Sequence, residues 1–209
     1  IAEGVENSNY LVDAERGRFI LTLYEKRVDE GDLPFFLALL DHLAEAGSPV
    51  PRALRDAAGV QVQRVAGRPA CLIEFLPGVS VTRPSPAQAG AAGAAMGAMH
   101  RALADFPLAR ANSLGRAGWH ALARRCGDQL DAIAPGLGAR VAAELDFLDR
   151  HWPDDLPTSV IHADLFPDNV LMLGDRVSGL IDFYFSCTEV RAWDLAVMHA
   201  AWAFAPGYD

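Results

Sequence analysis

The fold of this chain is decided by one stretch of its sequence, Val160-Ile161-His162-Ala163-Asp164-Leu165-Phe166-Pro167-Asp168-Asn169-Val170-Leu171-Met172. A short apolar run predicts a strand that ends at His162, and a polar loop containing Asp164 follows it. A second apolar run begins directly after Asn169. The pattern is therefore strand, polar loop and strand, with an Asp and an Asn at a fixed spacing in the loop.

The residues that follow predict a β-hairpin. Two apolar runs, 169–173 and 177–181, are separated by a turn that contains a Gly-Asp pair. Antiparallel pairing of these runs places Asn169, at the start of the first, beside Asp182, which directly follows the second. Asp164 lies in the loop just before the hairpin, and we expect its side chain to face the same point.

These three side chains are the groups that kinase-type phosphoryl transfer requires. One carboxylate orients the acceptor hydroxyl and accepts its proton, whereas an Asn and a second carboxylate hold Mg²⁺. We therefore predict that Asp164 is the catalytic base and that Asn169 and Asp182 are metal ligands. The alternative is that all three are ordinary loop residues, since Asp and Asn are common in loops.

Two neighbouring polar residues are given structural interpretations. We expect His162 to be a buried histidine that is bonded to the backbone. Asp194 stands in Trp193-Asp194-Leu195-Ala196, at the start of a predicted helix, and we interpret it as a helix cap rather than a substrate contact.

The motif is close to that of protein kinases but differs from it at two positions. Protein kinases carry H-R-D-x-x-x-x-N followed by D-F-G. This chain has Ala163 in place of the Arg and Tyr184 in place of the Gly. The sequence therefore indicates a relative of the protein kinases rather than a protein kinase.

The remaining sequence predicts two lobes. Residues 1–76 contain strand-type runs and one helical run, 34–46, which we assign to an N-terminal nucleotide-binding lobe. Residues 77–209 begin at a Pro-Gly break and contain an Ala/Gly-rich helical segment, 86–104, and one or two helices within 119–151. We predict an α+β, two-lobed, protein-kinase-like fold with an N-terminal antiparallel sheet and a mainly helical C-terminal catalytic lobe that is truncated.

Composition and charge limit the partners of this chain. Its 209 residues are 51% hydrophobic and carry a net charge of −9, so no basic stripe is available for nucleic acid. No apolar run reaches the length of a membrane span, and we expect no membrane partner and no signal peptide. The cysteines Cys71, Cys126 and Cys187 are scattered and lack C-x-x-C spacing, which predicts a reduced, cytoplasmic setting.

Two segments of the predicted N-terminal lobe are candidates for nucleotide binding. Segment 4–10 lies where a phosphate-covering loop is expected, and its small polar residues can offer backbone N–H groups to phosphate. Its candidates are Asn7, Ser8 and Asn9. The connection between the lobes, with Glu74 and Leu76, can bond an adenine edge through its backbone. The alternatives are an ordinary turn and a plain linker.

The whole chain resembles the bacterial homoserine kinases of the choline kinase and aminoglycoside phosphotransferase superfamily. The earlier motifs that resemble this family are Gly4-Val-Glu-Asn-Ser-Asn-Tyr10, Phe19-Ile-Leu-Thr-Leu-Tyr-Glu25, Leu33-Pro-Phe-Phe36 and Ala111-Asn-Ser-Leu-Gly115. The segments 162–169 and 181–183 resemble the catalytic segment of the superfamily. The resemblance implies transfer of the ATP γ-phosphate to the hydroxyl of L-homoserine, in threonine biosynthesis, with ATP and Mg²⁺ as cofactors.

Thr22 marks a departure from the usual kinase pattern. Kinase folds carry a Lys on the third strand to hold the α- and β-phosphates, and Thr22 occupies that place here, so we include it among the nucleotide-binding candidates. The single lysine, Lys26, lies four residues further on, about 13 Å along a strand, which is too far for a simple replacement. Arg18, Arg27 or the metal alone are the candidates that balance the phosphate charge.

The motifs do not identify the acceptor, and no substrate-binding residue is assigned. Another small-molecule kinase of the same fold stays open, with an aminoglycoside, a choline-like amine or a sugar as acceptor, and so does a non-catalytic nucleotide-binding pseudokinase. A homoserine carboxylate requires a cationic partner, whereas a cationic acceptor requires an acidic or aromatic pocket. The candidate cations are Arg101, Arg116, Arg124, Arg125 and Arg191.

Overall fold

The computed structural model describes residues 2–3, 7–25 and 28–203, which form an N-terminal sheet lobe and a mainly helical C-terminal lobe. The strands of the N-terminal lobe are Ala2–Glu3 (β1), Asn7–Ala14 (β2), Gly17–Tyr24 (β3), Gln63–Val65 (β4) and Arg68–Glu74 (β5). They form one antiparallel sheet in the order β1-β2-β3-β5-β4. The predicted antiparallel sheet is confirmed.

Helix α1, Leu33–Glu45, forms where its sequence predicts it. Pro34 lies in its first turn, where no intrahelical N–H bond is needed, and Gly47 at φ +79° follows its end. Leu37 packs against the sheet, whereas Phe36 and Leu40 belong to the core shared with the C-terminal lobe. The helix is therefore buried on two faces and connects the two lobes.

The C-terminal lobe contains helices and two small antiparallel sheets. The helices are Pro86–Ala102 (α2), Arg116–Cys126 (α3), Gln129–Ile133 (α4), Leu137–His151 (α5) and Ala192–Trp202 (α6). The strands are Thr158–Ile161 (β6), Val170–Leu173 (β7), Arg176–Leu180 (β8) and Cys187–Val190 (β9). Strand β6 pairs with β9, and β7 pairs with β8. The predicted two-lobed, kinase-like α+β fold is confirmed.

The segment 119–151 differs from its prediction, because it belongs to three helices rather than one or two. The additional break follows α3, where Gly127 adopts φ +47°, a left-handed value that few side chains tolerate. Strand β9 was not predicted, since Cys-Thr-Glu-Val lacks a clear alternation. In the structure it pairs antiparallel with β6, with Ile161 opposite Cys187.

The predicted hairpin is confirmed, and the linker between the lobes is bonded to it. Val170 pairs with Leu180 within the hairpin. Val79 and Met172 exchange two backbone hydrogen bonds of 3.0 and 2.9 Å, so the linker runs along β7 as a short additional strand. Gly78 makes this approach possible, because a Cβ there would meet the Ser178 hydroxyl at 2.4 Å.

The main core lies between α1, α2, α6 and the hairpin. Its fully buried members are Leu39, Leu43, Ala92, Met99, Leu165, Val170 and Leu180. The core therefore supports strand β7, which begins directly after Asn169, and the helices that flank the hairpin. Among the described residues, no helix combines the length and the apolar character needed to cross a membrane.

Candidate active site

A cavity of about 560 Å³ lies where the two lobes meet, and it collects most of the predicted site residues. The sheet contributes Asn7, Asn9, Thr22 and, at the end of β5, Glu74. The linker contributes Leu76, and the hairpin contributes Asn169 and Asp182. The rest of its lining is mostly apolar and includes Ile20, Ile73, Leu171 and Ile181. Residues far apart in the sequence therefore share one concave site with an apolar part and a polar part.

The roof of the cavity, formed by β2 and β3, has two distinct ends. Phe19 at the start of β3 is paired with Glu74, so this end of the strand lies at the linker. At the other end, the hydroxyl of Tyr24 lies 2.9 Å from that of Tyr184, and burial raises the pKa of both phenols, so the pair is neutral. Since Tyr184 lies two residues after Asp182, β3 spans the cavity from the linker to Asp182.

Asn169 is held in a defined orientation by Asp164. Its amide nitrogen Nδ2 donates to the backbone oxygen of Asp164 at 2.8 Å and to the carboxylate oxygen Oδ2 at 3.0 Å. The carbonyl oxygen Oδ1 of Asn169 therefore points away from Asp164. The spacing of the Asp and the Asn in the loop thus produces a direct contact, although Asp164 itself is not among the residues that line the cavity.

Asp182 reaches the cavity from the other strand of the hairpin. The backbone N–H of Ile181 donates to the oxygen of Asn169 at 3.0 Å, so the pairing of β7 and β8 extends to the two predicted ligands. Asp182 is exposed and adopts φ +64° and ψ +61°. Ala163 also has a positive φ, +67°. Positive φ values are uncommon for non-glycine residues, although Asp tolerates them better than Ala, and strained residues cluster at functional sites.

His162 has the structural role that we expect from the sequence. Its side chain is completely buried, and its ring nitrogen Nε2 lies 3.0 Å from the oxygen of Ile181. Burial lowers the pKa of His162, so the imidazole is neutral at neutral pH. His162 therefore joins the strand before the loop to the end of the hairpin.

Asp194 does not cap helix α6, and that interpretation is wrong. Its side chain is fully buried and makes no capping bond. Instead, its carboxylate accepts the backbone N–H groups of His162 and Ala163 at 3.0 and 2.7 Å, and it lies 2.8 Å from Nε2 of His100. Its position near a helix start resembles that of a cap, and its long-range contacts with residues 162 and 163 are not visible in the local sequence.

Asp194→Ala is expected to lower the free energy of unfolding by roughly 3–5 kcal/mol, because it removes one member of a buried charged network. Asp194→Asn retains one carboxamide oxygen and should lose less. Urea unfolding followed by circular dichroism measures both values. Asp168→Ala is the control, since that carboxylate is exposed in the same loop. An Asp194→Ala variant as stable as the control would show that the network is unimportant.

Several residues predicted to contact the nucleotide do not line the cavity or lie outside the described residues. Ser8 points to the opposite face of β2 from Asn7 and Asn9, and its hydroxyl donates to Glu25 at 2.8 Å, so its side chain does not line the cavity. Arg18 lies at the linker end, with its guanidinium 4.5 Å from the centre of the Phe75 ring. The predicted positions Gly4 to Glu6, Lys26 and Arg27 are outside the described residues.

Two of the five candidate acceptor arginines have structural partners. Arg116 lies over the Trp152 ring and 3.7 Å from Asp149, and Arg191 donates to the hydroxyl of Ser159 at 3.1 Å. Both therefore hold parts of the C-terminal lobe together. The partner of an acceptor carboxylate stays unassigned.

The donor set suits a magnesium ion that is shared with a ligand. Among the described residues, no group of three or more His, Cys, Asp or Glu side chains could hold a metal ion without help. Asn169 and Asp182 instead provide two oxygen-bearing side chains on one cavity. Mg²⁺ commonly takes one or two protein ligands and completes its shell with phosphate oxygens and water.

Comparison with known proteins places the sequence among phosphotransferases. Residues 1–208 match the family described as the phosphotransferase enzyme family. A homoserine kinase of Zymomonas mobilis is 56% identical over 205 residues, and one of Methylorubrum populi is 53% identical over 204 residues. Each alignment covers 98% of this chain and 64% of the relative, so the chain spans about two thirds of the length of these enzymes.

Solved structures of an amicoumacin kinase and a spectinomycin phosphotransferase share the fold. An amicoumacin kinase in complex with AMP-PNP, Ca²⁺ and Ami superimposes with a TM-score of 0.76 at 18% identity, covering 94% of this chain and 61% of that one. A spectinomycin phosphotransferase in complex with ADP and spectinomycin gives 0.68 at 15% identity, with 95% and 67% covered. At these identities the likeness concerns the fold.

Proposed function

Because the chain belongs to the phosphotransferase enzyme family, we propose that its protein is a kinase that transfers the γ-phosphate of ATP to the hydroxyl of L-homoserine. The observation that carries the transfer chemistry is the meeting of Asn169, Asp182 and the roof of the sheet in one cavity, with Asp164 bonded to Asn169. The homoserine kinases at 53–56% identity support the acceptor. Threonine biosynthesis is the corresponding pathway.

The catalytic roles follow from the contacts of each residue. Asp164 orients the acceptor hydroxyl and accepts its proton, and its own position is fixed by the Nδ2 group of Asn169. Asn169 and Asp182 would hold Mg²⁺, and the ion would supply neutralisation of the phosphate charge. Asp194 acts through the backbone of residues 162 and 163, and is thus a positioning residue.

The nucleotide lies between the sheet and the hairpin in this proposal. The base occupies the apolar part near Glu74 and Leu76, where backbone groups of the linker bond its edge, and the phosphates lie under Asn7, Asn9 and Thr22. The backbone of Ser8 is a further candidate for a phosphate contact. The nucleotide-binding lobe then comprises residues 1–76 and the catalytic lobe residues 77–209.

Two other functions remain as alternatives. A different small alcohol as acceptor stays open, because the chain shares its fold with an amicoumacin kinase and a spectinomycin phosphotransferase. A non-catalytic nucleotide-binding role is favoured by Thr22 at the place of the usual lysine. We place the protein in the cytoplasm, because all three cysteines are free thiols, as is usual for proteins of a reducing compartment.

The direct test measures ATP consumption by the full-length protein with L-homoserine and a panel of other alcohols, including an aminoglycoside, choline and a sugar. We expect kcat/KM to be highest for L-homoserine and the product to be O-phosphohomoserine, identified by mass spectrometry. A higher kcat/KM for another acceptor would reassign the substrate. Binding of Mg·ATP without turnover of any acceptor would favour the non-catalytic role.

A further inference from the structure

The carbonyl oxygen Oδ1 of Asn7 is buried without a hydrogen-bond partner in the described part of the chain. Asn7 is 7% exposed and lines the cavity. Buried polar atoms nearly always have a partner, and an exception indicates a missing ion, water or ligand. An oxygen acceptor in this position calls for a cation or a hydrogen-bond donor from the occupant of the cavity.

Asn7 lies at the Asp182 end of the roof rather than at the linker end. Strand β2 pairs with β3 so that Asn7 is opposite Tyr24 and Asn9 is opposite Thr22. Tyr24 contacts Tyr184, which follows Asp182 closely in the chain. The unpaired oxygen is therefore over the part of the cavity where the metal and phosphates are proposed to bind.

Beside Asn7, the place of the usual kinase lysine is occupied by a neutral pair. The Thr22 hydroxyl donates to Oδ1 of Asn9 at 2.7 Å, and Thr22 is 2% exposed. Among the described residues that line the cavity, there is no Lys, Arg or His. The described roof residues that line the cavity therefore provide polar atoms but no positive charge for a triphosphate.

The acidic partner of that lysine is missing as well. Kinases pair the lysine with a Glu on the neighbouring helix, whereas α1 presents Phe36 and Leu40 to this cavity. Asp41 of α1 instead bonds to Arg55 at 2.6 Å, and this pair lines a separate groove outside the cavity. At the cavity, both halves of the ion pair are therefore replaced by uncharged side chains, and none of the described α1 residues that line it is acidic.

We propose that Asn7, next to the bonded Asn9–Thr22 pair, forms a neutral subsite for a hydrated divalent cation carried by the nucleoside triphosphate, and that this subsite takes the place of the lysine. The inference rests on the proposed function, because it requires a nucleotide in this cavity. Its consequence is that nucleotide binding depends on the metal, since the described residues that line the cavity offer no cation to metal-free phosphates.

Calorimetric titration of the full-length protein with AMP-PNP, in Mg²⁺ and in EDTA, tests this subsite through binding alone. We expect wild-type affinity to fall by about a hundredfold or more in EDTA. Asn7→Leu should weaken Mg·AMP-PNP binding by about tenfold or more, because the oxygen is lost. Asn7→Asp should bind Mg·AMP-PNP at least as tightly as wild type, because a carboxylate is a stronger ligand for Mg²⁺.

The Asn7→Asp variant distinguishes a cation contact of the Asn7 oxygen from a phosphate contact of the Asn7 amide nitrogen. If Asn7 presents its amide nitrogen to phosphate rather than its oxygen to a cation, the new carboxylate repels the phosphates and binding is lost, which overturns the proposal. Lys26→Met tests the one lysine, and a loss of Mg·AMP-PNP binding as large as that of Asn7→Leu would assign the phosphate charge to Lys26 instead. The proposal would also be overturned if the wild type bound AMP-PNP as tightly in EDTA as in Mg²⁺.

Two controls match the variants. Gln129→Glu adds the same charge as Asn7→Asp at an exposed position at the start of α4, and Tyr10→Phe changes the opposite face of β2. Both should bind Mg·AMP-PNP like wild type, and circular dichroism checks the folding of every variant.

Two outcomes distinguish the subsite from the proposed function. If the wild type phosphorylates homoserine and the Asn7→Asp variant does not bind Mg·AMP-PNP, the subsite is refuted and the proposed function is not. A wild type that neither binds Mg·AMP-PNP nor phosphorylates any acceptor refutes the proposed function too.

Discussion

Asp164→Asn should lower kcat by about 10²–10⁴-fold, the range associated with loss of general base catalysis. The variant keeps the shape of the side chain, and an amide oxygen can still accept the Nδ2 group of Asn169 that now bonds to the Asp164 carboxylate at 3.0 Å. The backbone bond from Asn169 to Asp164 also stays. The structure around the metal candidates should therefore be maintained while the proton acceptor is lost.

The KM for ATP separates this role from nucleotide binding. A group that acts in the transition state changes kcat and leaves the KM for ATP within a few-fold. Steady-state kinetics at saturating L-homoserine measure both constants, and Asp168→Asn, at an exposed position in the same loop, is the control. If the substitution mainly raised the KM for ATP, Asp164 would have to be reassigned as a nucleotide or metal contact.

Asp182→Ala should abolish turnover while leaving the fold largely intact. Asp182 is exposed to the cavity, so its carboxylate contributes little to packing, but the proposed Mg²⁺ site loses one of its two protein ligands. Activity and urea unfolding are measured on the same sample. A variant with activity within about tenfold of wild type would remove Asp182 from the metal site.

Asp182→Gly is a companion to this variant, because Asp182 has a φ of +64°. Glycine adopts this conformation readily, whereas alanine at a left-handed position costs roughly 1–2 kcal/mol. We therefore expect both variants to be inactive and the Gly variant to be the more stable of the two. This result would separate the chemical role of the carboxylate from the strain in the backbone that carries it.

The parts of the fold that depend on local pattern could be predicted from the sequence. The hairpin follows from two apolar runs and a Gly-containing turn, and α1 follows from its apolar spacing, its Pro and its terminal Gly. The meeting of Asn169 and Asp182 at one cavity follows from the hairpin geometry alone. Each of these features involves residues that are close in sequence.

The features that were missed depend on contacts between distant segments. The carboxylate of Asp194 bonds to residues about thirty positions earlier, and no local signal distinguishes this arrangement from a helix cap. The direction of Ser8 depends on the register of β2 against β3, which a short polar segment does not specify. The additional helix break at Gly127 depends on a backbone conformation that glycine permits but does not require.

The bonds between the linker and β7 give the cavity a floor of fixed length. Val79 is paired with Met172, and Asn169 lies three residues before Met172, directly before the first residue of β7. The linker and the first proposed metal ligand therefore belong to one hydrogen-bonded unit, whereas Asn7 and Thr22 belong to a separate sheet. A rotation of one lobe relative to the other would change the distance between the roof and the nucleotide. The same rotation would leave the spacing between the linker and Asn169 unchanged, and with it the spacing between the proposed base site and the proposed metal site.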